Sequence, residues 1–303
     1  MGFPRAAALL LALSLGLPAA LCLSGCATAP PRELAEQWYD LGNSWLDKGE
    51  WKKAGEAYAK ALEIDPSFAG ASLNFARALV EAGDYERALG VLDSLAKRDP
   101  GNVRVAAARA YALYKNGDAA GALAAYRAVL ELDPYAPDAL YNVALLELES
   151  GESAAAARDL DLLSINAPED AEILLALGRA RYESGDEEAA LAAYEKAKKL
   201  GKSDAPALEA MGAIYEKARR FSEAMESYEA AAKADSKRAL SWFKLARLRL
   251  VVASDSERGL AALKSALDAG FSDKEAAAAL LDDPDLSDRE KVLELLKAKD
   301  LVK

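Results

Sequence analysis

Apolar residues recur along this chain at helical spacing, and the spacing itself recurs every 34 residues from Ala35 to Ser236. One period places Ala54, Ala57, Tyr58, Ala61 and Leu62 on a single helical face. Three residue types keep the same beat. Gly falls at Gly49, Gly83, Gly117, Gly151 and Gly185. Ala falls at Ala54, Ala88, Ala122, Ala156, Ala190 and Ala224, and Pro at Pro66, Pro100, Pro134 and Pro168. A period of this length signals a stack of helix pairs. The Gly ends a first helix, where a left-handed backbone is needed. The acids that follow it, Glu50, Asp84, Asp118, Glu152 and Asp186, open a second helix, where exposed N–H groups favour negative charge. The small Ala on that second helix lets two helices approach closely. The Pro ends it, as in Asp65-Pro66, Asp99-Pro100 and Asp133-Pro134. The pattern predicts about fourteen repeat helices and essentially no strand.

The first unit reads Trp38-x2-Leu41-Gly42-x2-Trp45, then Ala54-x3-Tyr58, then Pro66. Later units keep this more loosely, as in Leu174, Leu177-Gly178, Ala190 and Tyr194, and in Leu208, Met211-Gly212, Tyr215, Ala224 and Tyr228. These marks resemble the tetratricopeptide repeat, with Trp45 standing where Tyr is usual. The resemblance implies an all-α, right-handed helical solenoid of six 34-residue units over residues 35–238.

Several positions depart from the pattern. Arg219 replaces the Gly of the sixth unit, and Lys202 and Ser236 replace the Pro of units five and six. Arg109 stands where an apolar residue is expected. A degenerate seventh unit, residues 239–271, keeps Trp242, Leu245 and Ala246 but needs one extra residue near Val251–Ser254 to bring Leu263 and Ala266 into register. Residues 272–303 carry two capping-box spacings, Ser272-x-x-Glu275 and Ser287-x-x-Glu290, separated by Asp283-Pro284. They predict two C-terminal capping helices over the last open face.

Residues 1–25 read as a targeting segment: Arg5, an apolar run from Ala6 to Leu23, and Leu23-Ser24-Gly25-Cys26. That ending resembles a bacterial lipobox, which implies a lipidated Cys26 and a short tether over residues 26–34. An uncleaved membrane helix is the alternative; Gly16, Pro18 and the well-formed box argue against it. Acyl chains supply stable anchoring at about 0.8 kcal/mol per buried methylene. The stretch from Cys26 to Arg32 contains Pro30-Pro31 and spans roughly 20 Å fully extended, so the first repeat works close to a bilayer. Ala27 follows the Cys, and a non-Asp residue there implies an outer-membrane location facing the periplasm.

Removing residues 1–25 takes away one charge, Arg5, and leaves 37 basic against 49 acidic residues, a net charge of −12. This balance argues against nucleic acid and against docking on anionic headgroups. The sequence has no His, and its two Cys are Cys22, in the removed segment, and Cys26. A thiol nucleophile, an imidazole base and a His/Cys metal site are therefore not expected, nor is any cofactor beyond the lipid. Carboxylates at helical spacing read as solvated faces. Gly201-Lys202-Ser203 lacks the first Gly of a phosphate loop, since Lys196 stands there, and reads as a turn.

In tetratricopeptide proteins the first helices of the units line a concave groove that often holds an extended peptide. Carried over by position, the resemblance gives Tyr39, Asn43, Asn74, Arg77, Arg104, Tyr111, Tyr114, Lys115, Tyr141, Asn142, Arg179 and Tyr182 as groove candidates. Asn can both donate to and accept from a peptide backbone, Tyr gives contact area at low entropy cost, and Arg can clamp a carboxylate. Asn43, Asn74 and Arg104 partly resemble the two-carboxylate clamp of chaperone-binding relatives, but Tyr39 and Ala108 stand where the clamp is basic. The bland reading is that the Asn residues bridge helices and the Tyr residues cover the inner surface. The reading taken is a non-enzymatic, membrane-anchored adaptor for protein partners in the cell envelope. The alternative is an uptake component holding a small apolar ligand in the groove or a central pore. A polar lining favours the first and a closed apolar cavity the second.

Overall fold

A computed structural model describes residues 31–303; the targeting segment, Cys26 and the start of the tether lie outside the described residues. Sixteen α-helices and one π-helical turn make up the described chain, with no strand among the described residues. The helices are α1 (Pro31–Leu46), α2 (Trp51–Ile64), α3 (Ala69–Glu81), α4 (Tyr85–Arg98), α5 (Val103–Lys115), α6 (Ala119–Leu132), α7 (Pro137–Glu149) and α8 (Ser153–Asn166). They continue as α9 (Ala171–Glu183), α10 (Glu187–Lys199), α11 (Ala205–Lys217), α12 (Phe221–Ala234), α13 (Ala239–Arg247), the π-helix Leu248–Val252, α14 (Ser256–Asp268), α15 (Lys274–Asp282) and α16 (Arg289–Lys297). None of them is long and apolar enough to cross a membrane. The chain divides into two compact units at Leu146/Glu147, within α7.

In the first unit the helices α1 to α6 pack in sequence, and α3 also touches α1 and α5. The turn chemistry repeats. Gly83 has φ +83° and Gly117 φ +83°, and the acid after each closes the helix behind it. Asp84 N–H donates to Leu79 O at 2.8 Å and Asp118 N–H to Leu113 O at 3.0 Å. Asp118 then caps the helix ahead by accepting from Gly121 N–H at 2.8 Å. Asp84 does not cap, because its carboxylate pairs with Arg87 at 2.9 Å.

The second helix of each pair ends on the Asp more than on the Pro. Asp65 accepts from Ser67 N–H at 2.9 Å and its hydroxyl at 2.6 Å, which holds the carboxyl below its ordinary range. Asp133 accepts from Tyr135 N–H at 3.1 Å. Asp235 makes the same bond to Lys237 N–H at 3.1 Å with Ser236, not Pro, beside it. The carboxylate mimics a turn of backbone and bends the chain without help from the ring.

The periodic alanines Ala54, Ala88, Ala122, Ala156, Ala190 and Ala224 are all fully buried. A second small position faces a large one. A Cβ added at Gly42 would lie 2.5 Å from the Tyr58 ring. The second unit repeats this at Gly178 with Tyr194, 2.5 Å, and at Gly212 with Tyr228, 2.8 Å. At these three places the ring occupies the space a Cβ would need, whereas in the third repeat Ala110 holds the small position and shares a buried cluster with Tyr126. Where the ring is replaced by Leu92, Ala76 takes the small position, and both are fully buried.

In the second unit, helices α8 to α14 again pack in sequence. The left-handed turn survives without glycine: Arg219 has φ +60° and Ser254 φ +52°. The extra residue of the seventh repeat enters as the π-helix, where Ala253 N–H reaches back to Leu248 O at 3.0 Å and Asp255 N–H to Arg249 O at 2.8 Å. A widened turn absorbs one residue while keeping both flanking helices in register. Helices α15 and α16 lay Leu280, Val292 and Leu296 into one core with Leu245, Leu248 and Leu263. Phe243 and Phe271 stack there, with centroids 4.0 Å apart.

Two expected caps differ. Asp273, not Ser272, caps α15 by accepting from Ala276 N–H at 3.0 Å, since the helix begins one residue later than the spacing implies. Ser287 does not cap α16; its hydroxyl donates to Leu250 O, and Asp288 takes the N-terminal position with φ +48°.

Candidate functional site

An open groove of the first unit has a volume of about 630 Å³. Most of its lining comes from α3 (Leu73, Asn74, Arg77, Glu81), α5 (Arg104, Ala107, Ala108, Tyr111) and α7 (Asp138, Asn142), with Trp51, Leu92 and Tyr126 of the second helices adding apolar and aromatic surface. Helices α3, α5 and α7 are first helices of successive pairs, so residues one period apart in sequence line up along one surface. A second cleft of about 320 Å³ adjoins it and shares Leu73, Asn74 and Arg104, adding Tyr39, Arg98 and Asn102.

Part of the polar lining is already engaged. Asn43 Oδ1 accepts from Tyr58 OH at 2.7 Å and from Asn74 Nδ2 at 2.9 Å, and Asn74 Nδ2 also donates to Tyr39 OH at 3.2 Å. This network ties α1, α2 and α3 together, and burial pushes the Tyr58 phenol up to about 12. Tyr39 packs its ring between Tyr58 and Phe68, at 5.8 and 4.9 Å. Asn142 Nδ2 donates to Asp138 O at 2.6 Å. The amide oxygens of Asn74 and Asn142 make no hydrogen bond among the described residues and line the groove as acceptors.

Tyr111 OH donates to Glu81 Oε1 at 3.0 Å; burial first, then that acid, raises the phenol. Lys115 lies over the Tyr111 ring at 5.8 Å. Tyr114 packs against the core between α5 and α6. Tyr141 is half-buried on α7. Arg109, expected to be apolar, turns outward to Asp93 at 2.7 Å. Arg179 and Tyr182 belong to the second unit. There Arg179 pairs with Glu183 at 2.8 Å on its own helix, and Tyr182 packs against the core.

The candidates therefore separate. Asn74, Arg77, Arg104, Tyr111 and Asn142 share one groove. The side chains of Asn43, Asn74, Tyr114 and Tyr182 hold helices together. Leu73, Ala107, Ala108 and Asp138 were absent from the candidate set because only basic and polar uncharged or aromatic types were carried over. The same positional rule, applied to apolar and acidic residues, reaches them. Arg98 was missed because it lies on a second helix, at the end of α4.

Residues 141–205 and 207–240 each match a model of the tetratricopeptide repeat, and residues 29–139 match the tetratricopeptide domain of cytochrome c-type biogenesis protein H. The chain carries tetratricopeptide repeats. No curated protein matches it. Its fold is similar to that of a tetratricopeptide protein from Parabacteroides merdae, at 18% identity and TM-score 0.54, covering 88% of this chain and 99% of that one. It is also similar to pilF of Pseudomonas aeruginosa, at 20% identity and TM-score 0.59, covering 67% and 92%. YrrB, described as a tetratricopeptide protein with an unusual peptide-binding site, is 19% identical with TM-score 0.55, covering 62% and 96%. At these identities the likeness establishes the tetratricopeptide fold. Tetratricopeptide domains are in general non-enzymatic and bind proteins or peptides. Among the described residues no group of His, Cys, Asp or Glu could hold a metal ion.

Proposed function

We propose that this tetratricopeptide chain is a non-enzymatic adaptor, anchored by lipid on Cys26 at the bacterial outer membrane and facing the periplasm, which holds a segment of a partner protein in the groove of its first unit. The observation that carries the reading is the lining itself. Arg77, Arg104 and the amide oxygens of Asn74 and Asn142 stand beside Leu73 and Ala107 in one open groove. Amide oxygens accept from a peptide backbone, and the small apolar residues leave room for it. A closed apolar cavity, which a small apolar ligand would need, is a different arrangement. The absence of His anywhere, and of any Cys among residues 27–303, supports a binding role over a catalytic one. The match over residues 29–139 favours a second, narrower reading in which the partner belongs to cytochrome c maturation.

The test is site-specific photocrosslinking in the native cell, with the reactive residue placed at Ala107 or Ala108 and, for contrast, at Glu56. A partner crosslinked from the groove and not from Glu56 supports the reading. Crosslinks from Glu56 alone move the interface to the other face. Fractionation of Cys26→Ser tests the anchor: the variant should leave the membrane fraction, and its retention in high salt would require another anchor.

A further inference from the structure

We infer that the segment held by this groove is acidic, and that its carboxylates are received by Arg77, Arg98 and Arg104. The inference rests on the peptide-groove reading and adds the chemistry of the partner.

Most arginines of this chain are committed. Arg87, Arg109, Arg181, Arg238 and Arg249 each pair with a carboxylate at 2.5 to 2.9 Å. Arg77, Arg98 and Arg104 are exposed and make no hydrogen bond or ion pair among the described residues, yet they line two clefts that share Arg104. Each presents an unused fork of N–H donors, the geometry that receives a carboxylate with two parallel bonds.

Arg104 is the most telling of the three. It is the second residue of α5, whose first turn carries no acid. A cation there opposes the helix dipole, which favours negative charge at that end. Local stability does not explain an arginine at this place; a ligand carboxylate would. Of the acids of the two clefts, Glu81 accepts from Tyr111, Asp99 accepts from Asn102 Nδ2 at 3.0 Å, and Asp138 lies in the first turn of α7, where the helix dipole favours it. They do not answer the arginines.

The inner helices of the second unit carry acids that are paired with basic groups. On α11, Glu209 is gripped by Arg238 and Ser241, and Glu216 by Arg247 and Tyr228. Those charges satisfy one another. Arg158 and Arg219 of the second unit are also exposed and unpaired among the described residues, but in the first unit three such arginines line adjoining clefts of a protein whose net charge is −11. The free amide oxygens of Asn74 and Asn142 beside them select a chain with N–H donors, so a polypeptide fits better than a phosphodiester backbone.

The experiment is selection of a displayed random dodecapeptide library on the full chain in detergent micelles, followed by fluorescence anisotropy with the leading synthetic peptide. Enrichment of Asp and Glu is expected. Arg77→Glu, Arg98→Glu and Arg104→Glu should each weaken that peptide by about tenfold. Arg158→Glu, at an exposed arginine of the second unit, should leave it unchanged. Arg104→Glu should melt no lower than the parent, since it removes a cation from a helix N-terminus, so weakened binding there cannot be blamed on unfolding. Selected peptides that are neutral or basic would overturn the acidic partner and leave the peptide groove standing. Acidic peptides indifferent to all three reversals would overturn the assignment to these arginines. A library that yields no binder would remove the groove reading, and this inference with it.

Discussion

Ser287 grips the carbonyl of Leu250 twice, through its hydroxyl at 2.7 Å and its own N–H at 3.2 Å. Leu250 lies inside the π-helix, where the widened turn disturbs the normal hydrogen-bond ladder. The C-terminal segment thus repairs a defect made by the extra residue of the seventh repeat. Ser287→Ala should cost about 1 kcal/mol, because the N–H bond remains while the hydroxyl bond is lost. Thermal melting of the two proteins measures this, and an unchanged midpoint would place the hydroxyl bond outside the folding energetics.

The pairing of Gly178 with Tyr194 predicts a compensable defect. Gly178→Ala alone drives a methyl into the ring and should cost about 1–3 kcal/mol. Adding Tyr194→Leu recreates the Ala76 and Leu92 arrangement of the first unit, and the double variant should lose less than the sum of the two singles. A double-mutant cycle by chemical denaturation checks it; strict additivity would mean that the two side chains do not meet.

Arg219 holds a left-handed backbone, φ +60°, at an exposed turn where five other units place glycine. Strain of about 1–2 kcal/mol is relieved by Arg219→Gly, and part of that gain is offset by the freer unfolded chain. A net stabilisation of roughly 0.5–1 kcal/mol is expected. A melting point equal to or below the parent would show that the arginine contributes a contact worth as much as the strain.

Glu209 gives the second unit an acid-sensitive contact. Burial alone would raise its carboxyl; the hydrogen bonds from Arg238 and Ser241 and the charges of Arg238 and Lys244 outweigh burial and lower it. A carboxyl lower in the folded state stabilises the fold above its unfolded value, roughly 4.3, and loses that contribution as pH falls through the folded value. Glu209→Gln should therefore melt below the parent at pH 7, by about 1–3 kcal/mol, and the gap should close as the pH drops below 4. A constant gap from pH 7 to pH 3 would contradict the linkage.

The sequence determined the helix-pair repeat, the places where helices end and the fully buried alanines, because those depend on residues near one another in the chain. A glycine turn, an acid one step later and an apolar face every third or fourth residue are local demands that any copy of the unit must meet. Even the irregular seventh unit declared its extra residue, although whether that residue would become a loop or a π-helix depended on Leu250 meeting Ser287 across 37 positions. The site was legible only as a set of positions. Asn43 and Asn74 looked as available as Asn142 until folding brought Tyr58 and Tyr39 against them. Arg104 and Arg179 looked alike until Glu183 took one and nothing took the other. Which polar groups are spent on holding helices together and which remain open is a matter of partners distant in sequence, and only the tertiary structure assigns those.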